Sequence, residues 1–209
     1  RQSIALLNTL PEKNSESTLL LAKNYIILGK AKSTLETLQA AFDKGQLNDN
    51  FEAKFIEIKA LVILNEISAS QKRMKTLHSL AQTSEQQSDA ALAQAMIYAK
   101  SNKRTQQLTE LEKALKLNEN NIEALLMLAR YKFNNDDLEA AEDYLSQALF
   151  TLPSTDSMTL QRLQVLRAMV ATLSKQGRSS EAMIYSKLIA EANPRAQDLR
   201  PNSRRQWTQ

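Results

Sequence analysis

The side chains that most often carry out chemistry are scarce in this chain. His78 is its only histidine, and its 209 residues include no cysteine. A zinc site needs several nitrogen, sulfur or carboxylate ligands that converge on one point. One imidazole cannot supply such a set, so His78 is predicted to lie on the surface or at the edge of a helix. We expect no metal site.

Acidic residues occur in pairs that invite an acid–base interpretation. Asp136 and Asp137 stand where an apolar helical pattern begins, and carboxylates at a helix start interact favourably with the helix dipole. Glu139 and Glu142 share one helix face, which is predicted to be the outer one. These carboxylates are therefore predicted to be solvated and structural rather than catalytic.

Loops that bind calcium or phosphate are not indicated either. Asn48-Asp49-Asn50 lacks the glycine and the downstream glutamate of a calcium loop. It predicts instead a turn and a cap before a helix that starts near Phe51. Three glycines in the whole chain are too few for a phosphate-binding loop. We expect no catalytic residue, no cofactor and no enzymatic activity.

The composition predicts an all-α protein. Only three glycines and four prolines interrupt a sequence that is 43% apolar and is filled with strong helix formers. The net charge of +4 comes mostly from the arginines of 194–209, so no basic face for nucleic acid is expected. No apolar run approaches the roughly 20 residues of a transmembrane helix.

An internal repeat is clearest at 122–155. Two amphipathic segments with apolar residues at helical spacing are separated by Asn134-Asn135-Asp136-Asp137. Asp136, with Glu139 three residues later, predicts a capping box at the start of the second helix. The unit is thus predicted to be a pair of helices joined by a short turn.

This unit resembles the tetratricopeptide motif of 34 residues, a helix pair with small residues where helices cross and a proline at the end. Ala129, Ala141 and Ala148 occupy the small positions, and Pro153 occupies the last one. A larger side chain at a crossing would hold the backbones apart. The resemblance implies an all-α, right-handed α-α superhelix, a solenoid of about five helix pairs with a leading half repeat.

Weaker copies of the unit recur along the chain. The predicted repeat domain is 1–196, with units near 15–48, 54–87, 88–121, 122–155 and 163–196, followed by a basic tail or cap at 197–209. The copy at 54–87 is degenerate, because it places Leu61, Arg73 and Leu80 at the small positions. A generic α-α superhelix would explain such copies equally well. The residues expected to pack the repeats are Ala22, Ala41, Ala95, Ala114, Ala129, Ala141, Ala148 and Ala182.

The resemblance also implies a binding surface, because the first helix of each pair lines the concave face of such a solenoid. The residues expected in this groove are Lys23, Ile58, Val62, Leu92, Met96, Lys100, Leu126, Arg130, Phe133, Asn134 and Arg167. They mix apolar side chains with isolated cations, so the expected partner is an apolar, partly acidic peptide or helix of another protein. The alternative is that Ile58, Val62 and Leu92 are ordinary core.

The functional prediction is a protein-binding scaffold, resembling the adaptors and lipoproteins of bacterial cell envelopes that take part in assembly or export. Self-association through open solenoid ends, giving a homo-oligomer, is the alternative. Single-stranded RNA binding is less favoured, since Leu92 and Leu126 are apolar. The chain opens at Arg1 without a methionine, so it is expected to be a mature form or an excised piece that has lost any targeting segment. By analogy with such envelope proteins, a periplasmic or membrane-anchored location is favoured over a cytoplasmic one.

The tail breaks the repeat pattern. Arg204, Arg205 and Trp207 lie in a segment with two prolines and four arginines. Trp207 and Leu199 are predicted to cap the last helix pair. The alternative is that the tail is a linear docking motif.

Overall fold

The computed structural model describes residues 14–152 and 159–192, together with the single residues Leu7 and Thr9. Within these ranges every regular element is an α-helix. The helices are α1 (Ser15–Ile27), α2 (Ala31–Asp43), α3 (Phe51–Ile63), α4 (Ile67–Leu80), α5 (Ser84–Lys100), α6 (Arg104–Leu117), α7 (Ile122–Asn134), α8 (Leu138–Thr151), α9 (Leu160–Lys175) and α10 (Ser179–Ala192). Most of the expected half repeat, Pro153 and the tail lie outside the described residues.

The helices form pairs that are divided between two compact units. The first unit, residues 1–119, contains α1 to α6, and the second, residues 120–209, contains α7 to α10. The odd-numbered helices are called first helices below, and the even-numbered ones second helices. Each second helix follows its first helix directly in the chain and packs against it.

Each first helix begins at an Asn or Thr that caps it. The side-chain oxygen accepts a hydrogen bond from the backbone N–H three residues later, at 2.8 to 3.2 Å. The capping residues are Asn14, Asn50, Thr83, Asn121 and Thr159. At Thr83 the side chain of Gln86 bonds back to the cap and completes a capping box. Such caps satisfy N–H groups that a helix start leaves without a partner.

The turn inside each pair is three residues long and has a left-handed residue at its centre. The central residues are Gly29, Asn65, Asn102, Asp136 and Gly177, with φ between 56° and 81°. The N–H of the next residue donates to a carbonyl five residues back in the first helix, at 2.8 to 3.0 Å. This is the geometry of a Schellman helix end. Gly, Asn and Asp are the residues that adopt a positive φ most readily, which explains the residue types at the five turns.

The linkers between pairs vary in length, unlike the turns within them. Seven residues, 44–50, connect α2 to α3, whereas three, 81–83, connect α4 to α5. In the second unit, eight residues, 152–159, separate α8 from α9. Among the connections that join the described helices, differences in length are therefore confined to those between pairs.

The core of the first unit lies between neighbouring helix pairs. Helix α3 packs against α1, α2, α4 and α5, so first helices contact one another as well as second helices. Leu21, Leu38, Leu77 and Leu111 are fully buried there, and burial of one such side chain contributes about 1.5–3 kcal/mol. The small residues Ala22, Ala41, Ala95 and Ala114 are buried as well.

The second unit is built in the same way. Helix α9 packs against α7, α8 and α10. The fully buried large side chains are Leu125, Leu128, Leu145, Leu166 and Met169. The buried alanines are Ala129, Ala141, Ala148 and Ala182 among others. Small side chains there let the helix backbones approach closely.

The second helix pair starts three residues earlier than the sequence repeat implied. Helix α3 begins at Phe51 rather than at Lys54, the first residue of the predicted unit. Counted from the left-handed residue of the turn, the crossing residues of this pair are Ile58, Ser70 and Leu77, and each is fully buried. Two of the three are large, so the small-residue pattern alone does not reveal where this pair begins.

The residues that the sequence placed at these crossings lie elsewhere. Arg73 is exposed, and its Nε donates to Glu57 Oε1 at 2.7 Å. Leu80 is only partly buried, at the end of α4. Leu61 is buried, but it is not one of the crossing residues once the pair is counted from Phe51.

The predicted capping box at Asp136 is wrong. Asp136 is the left-handed residue of its turn, and the residue before α8 is Asp137, whose side chain does not cap the helix. Asp137 instead accepts a hydrogen bond from Lys132 Nζ at 2.7 Å. Helices α2, α4 and α6 also begin without a side-chain cap. The close turn, rather than a cap, therefore sets where these second helices start.

Candidate partner-binding surface

Three residues predicted to line the groove are core residues. Ile58, Val62 and Leu92 are exposed by 0%, 3% and 1%. Ile58 is a crossing residue of the second pair, and α3 and α5 are enclosed by the helices packed around them. These side chains cannot touch a partner without unfolding of the unit, so their assignment to the groove is wrong.

The other predicted residues of the first unit remain accessible to different extents. Lys23 is partly exposed, and its Nζ lies 2.6 Å from Glu52 Oε1, which joins α1 to α3 across their surface. Met96 is partly buried and Lys100 is exposed. The accessible side of these first helices is therefore more polar than the sequence suggested.

When the second pair is counted from Phe51 instead of Lys54, two more residues fall at groove positions. These are Lys59 and Glu52, which sequence reasoning missed. Lys59 stands six residues before the left-handed residue of its turn, as Lys23 does before Gly29. Its Nζ lies 5.1 Å from the centroid of the Phe55 ring, and that ring stacks on another aromatic ring one turn earlier. The left-handed Asn65 was the signal that could have revealed this position.

In the second unit, Phe133 lies beside the neighbouring first helix. Lys175 Nζ, on α9, is 4.6 Å from the centroid of the Phe133 ring and donates to the Phe133 carbonyl at 3.3 Å. The same ammonium group is 2.5 Å from Asp136 Oδ1. Phe133 is only partly buried, so part of this aromatic residue is accessible beside a cation.

Two further cations share helix faces with this pair. Arg130 is exposed and lies one turn before Phe133 on α7, and Leu126 lies a further turn before it. On α9, Arg167 lies two turns before Lys175. We call Leu126, Arg130, Phe133, Arg167 and Lys175 the α7–α9 surface. Asn134, also predicted for the groove, is exposed at the end of α7.

Arg167 has an unusual environment. The side chain is partly buried, and its Nε is enclosed by protein without a hydrogen-bond partner among the described residues. A buried donor of this kind costs free energy unless a partner reaches it. A guanidinium group binds carboxylates through paired N–H donors. Because Nε is enclosed, a carboxylate of another chain would have to bind Arg167 through its Nη donors.

Comparison with known proteins gives structural neighbours but no sequence relatives. No protein-family model matches the sequence, and no curated protein matches it. TTC0263, a thermophilic TPR protein of Thermus thermophilus, is similar in structure, with a TM-score of 0.67 at 18% identity. The similarity covers 88% of this chain and 94% of that one. This chain has the tetratricopeptide-repeat fold.

Two structures of MamA are also similar. One has a TM-score of 0.53 at 12% identity and covers 85% of this chain and 97% of its own. The other has a TM-score of 0.51 at 11% identity, over 88% and 94%. At such identities the tetratricopeptide-repeat fold is what the comparisons share, and the predicted all-α repeat fold is confirmed.

Several ion pairs of the second unit lie at its turns. The hydrogen bond from Lys132 lowers the pKa of Asp137 below its ordinary value, and the same bond raises the pKa of Lys132. Arg178 lowers the pKa of Glu181 through two hydrogen bonds and also binds Glu142 at 2.5 Å. Asp137 and Glu181, whose pKa values these cations lower, are ionised partners of turn residues and do not resemble proton-transfer groups.

The remaining candidates add no chemistry. His78 is exposed near the end of α4, and no three metal-ligating side chains come together in the described part of the chain. Within the same residues, no helix has both the length and the apolarity needed to cross a bilayer. Arg204, Arg205 and Trp207 lie outside the described residues.

Proposed function

We propose that this chain is a protein-interaction scaffold whose α7–α9 surface binds an apolar, partly acidic segment of another protein. The observation that carries the proposal is the combination of the cations Arg130, Arg167 and Lys175 with the partly buried Phe133 on the α7–α9 surface. Residue pairs of this kind, an aromatic ring and an arginine, contribute most to protein recognition when they become desolvated.

The chemistry of the surface favours carboxylates beside apolar side chains. Arg130, Arg167 and Lys175 supply positive charge, although Asp136 already neutralises part of it through Lys175. Leu126 and Phe133, both partly buried, supply apolar area. A peptide with an Asp or Glu next to a Leu, Ile or Phe would meet both requirements, whereas an RNA backbone would gain nothing from the apolar residues.

A peptide library displayed on phage tests this proposal without knowledge of the natural partner. Selection against the immobilised chain is expected to enrich peptides with acidic and apolar residues side by side. Synthetic copies of these peptides should bind the Arg130→Glu/Phe133→Ala variant at least about tenfold more weakly, because loss of such anchors costs more than about 1 kcal/mol. Affinity is measured by fluorescence anisotropy.

Matched variants make the result specific. Phe150→Ala/Arg104→Glu makes the same two changes at exposed residues of second helices, so it should leave the affinity unchanged. Arg167→Lys keeps the charge but removes the paired donors of the guanidinium group, so it should weaken the same peptides. Equal binding by Arg130→Glu/Phe133→Ala and wild type, with both folded by circular dichroism, would refute the proposal.

A more specific form of the proposal is an adaptor role in assembly or export at a bacterial cell envelope. Its support is the Gln-, Asn-, Lys- and Ser-rich sequence, similar in style to bacterial envelope proteins, and the likeness in fold to a bacterial protein. Fusion of the native gene, with its own upstream sequence, to a reporter that is active only outside the cytoplasm tests it. A reporter that stays inactive would contradict an envelope location.

A further inference from the structure

A cleft in the first unit lies between the second and third helix pairs. It has a volume of about 530 Å³ and is formed where the start of α4 faces the end of α5 and the turn after it. The lining residues include Ile67, Gln71, Lys72, Tyr98, Ser101 and Lys103. The cleft therefore combines two cations with amide, hydroxyl and apolar groups.

Lys72 and Lys103 give this cleft positive charge. Both are exposed, and neither is paired with a carboxylate of the described part of the chain. Lys103 Nζ lies 5.8 Å from the centroid of the Tyr98 ring, and Gln71 is paired with the amide of Gln94 at 3.4 and 3.5 Å. Helix α4 also begins here without a side-chain cap, so the positive end of its dipole adds to the same charge.

In the second unit, a carboxylate occupies the corresponding place. Arg178 Nη1 donates to Glu142 Oε2 at 2.5 Å, and Gln176 Nε2 donates to the same oxygen at 3.2 Å. One carboxylate of α8 thus binds two residues around the turn that follows α9. Counted from the left-handed turn residues, the corresponding residues of the two units are Gln71 and Glu142, Ser101 and Gln176, and Lys103 and Arg178.

Other acidic residues around Glu142 also have no acidic counterpart in the first unit. Three carboxylates of the second unit are replaced there by two neutral side chains and a cation. The corresponding residues are Glu139 and Ser68, Asp143 and Lys72, and Glu181 and Gln106. Between the first and second pairs, the partly buried Leu35 and Leu64 stand at the places of Gln71 and Ser101. The cleft between α4 and α5 has neither an ion pair nor apolar side chains at these places.

We propose that the cleft between α4 and α5 binds an acidic peptide segment of another protein, with a Glu or Asp carboxylate held by Lys72 and Lys103. This carboxylate takes the place that Glu142 has in the second unit, and an apolar neighbour packs on Ile67 and Tyr98. The inference goes beyond the proposed function, because the cleft belongs to the first unit and shares no residue with the α7–α9 surface.

A peptide fits the cleft better than a small free carboxylate. Exposed lysines gain little from a single ion pair in water, so a lone carboxylate would bind weakly. A peptide adds contacts with the apolar and hydroxyl groups of the walls. The volume of about 530 Å³ falls within the usual range of ligand pockets, about 300–1,000 Å³, and leaves room for more than one side chain.

A phage-displayed library of random heptapeptides tests the proposal. The library is selected against the immobilised Arg130→Glu/Phe133→Ala variant, so that anchors of the α7–α9 surface are removed. Peptides that contain Glu or Asp should be enriched. Addition of Lys72→Glu/Lys103→Glu should weaken their binding at least about tenfold in fluorescence anisotropy, since it places like charges opposite each other. Addition of Gln71→Glu should also weaken it, because the chain then supplies the missing carboxylate itself.

Two controls make the result specific to the cleft. Lys32→Glu/Lys75→Glu makes the same change in net charge at two exposed lysines that do not line the cleft. It should change the affinity less than about twofold at physiological salt, because distant charges are screened. In the enriched peptides, replacement of the acidic residue by its amide should weaken binding to the unmodified cleft.

Each contrary outcome overturns the inference. Selection without enrichment of acidic peptides would show that the cleft has no such ligand. Equal binding by the Lys72→Glu/Lys103→Glu variant, folded by circular dichroism, would place the peptides elsewhere; if that variant is unfolded, Lys72→Gln/Lys103→Gln replaces it with the same expectation. Release of the peptides by inorganic phosphate but not by acetate would identify a phosphate site instead. The proposed function is judged separately, by the loss of binding that Arg130→Glu/Phe133→Ala causes in the wild-type chain.

Discussion

The left-handed turn residues lead to a prediction about one contribution to stability, the cost of a positive φ for a residue with a Cβ. Gly177 has a φ of +81°, and a Cβ added there would meet no atom within 4 Å. Replacing Gly177 by Ala therefore introduces no clash with the rest of the protein. The change places an L-residue in the left-handed region, and that region is unfavourable for residues with a Cβ.

The magnitude follows from two opposing effects. The left-handed conformation costs about 1–2 kcal/mol for a residue with a Cβ. Alanine also restricts the unfolded chain, which returns about 0.4–1 kcal/mol. The net loss of unfolding free energy should be about 1 kcal/mol. With a typical dependence of about 1–3 kcal/mol per molar urea, the midpoint should fall by about 0.3–1 M.

Urea unfolding followed by far-UV circular dichroism measures the effect. Gly29→Ala should give the same loss in the first unit, because its Cβ would also meet nothing within 4 Å. Ser180→Ala, at an exposed helical residue, is the control and should change little. If Gly177→Ala unfolded at the same urea concentration as wild type, the left-handed conformation would not be a constraint on this turn.

Three further predictions concern packing, capping and charge. Leu77→Ala should lower the unfolding free energy by about 2–5 kcal/mol, because Leu77 is fully buried; a loss in urea unfolding below about 1 kcal/mol would contradict its place in the core. Asn121→Ala should cost about 1 kcal/mol, visible as faster amide exchange in the first turn of α7, and unchanged exchange would show that the cap is dispensable. Because Arg178 holds the pKa of Glu181 below its ordinary value of 4.5, its contribution is present above that pH and is lost as the pH falls through the lowered value. Wild type should therefore lose more stability than Glu181→Gln between about pH 5 and pH 3, and equal losses in thermal unfolding would show that the pair contributes nothing.

The fold was predictable because its strongest signals are local. Scarce glycine and proline, helical periodicity and alanines at close crossings all indicate paired helices, and at 122–155 these signals agree. They fail at the second pair, where Ile58 and Leu77 occupy crossings that alanine occupies in the first, third and fourth pairs. Whether a large side chain fits at such a crossing depends on the residues packed around it. Those residues come from other parts of the sequence, so local patterns do not reveal the fit.

The turn residues would have placed the second pair correctly. Asn65 follows the apolar run Ala60-Leu61-Val62-Ile63-Leu64, and nothing in that run marks it as a turn residue. Its role becomes clear only when it is aligned with Gly29, Asn102 and Asp136 as the residue with positive φ. Gly, Asn and Asp share a tolerance for one backbone conformation rather than a size or polarity.

The binding surface was less predictable than the fold. A residue on a first helix faces either solvent or the neighbouring first helix, and helical periodicity alone does not separate the two. Leu92 and Leu126 look alike in sequence, yet the first is buried and the second is only partly so. The enclosed Nε of Arg167 depends on its surroundings in the folded unit, so no sequence pattern could have indicated it.

The constant turn and the variable linkers have a consequence for how such a chain can change its length. One residue inserted into a three-residue turn would disrupt the left-handed residue and the hydrogen bond that end the first helix, and would displace the second helix from its packing position. An insertion beside the exposed Asn48 and Asp49 leaves the helices of both neighbouring pairs in place, and a longer loop adds only a little to the entropic cost of closing it. Duplication or loss of whole pairs, with their breakpoints in the linkers, is therefore the form of rearrangement that this architecture tolerates.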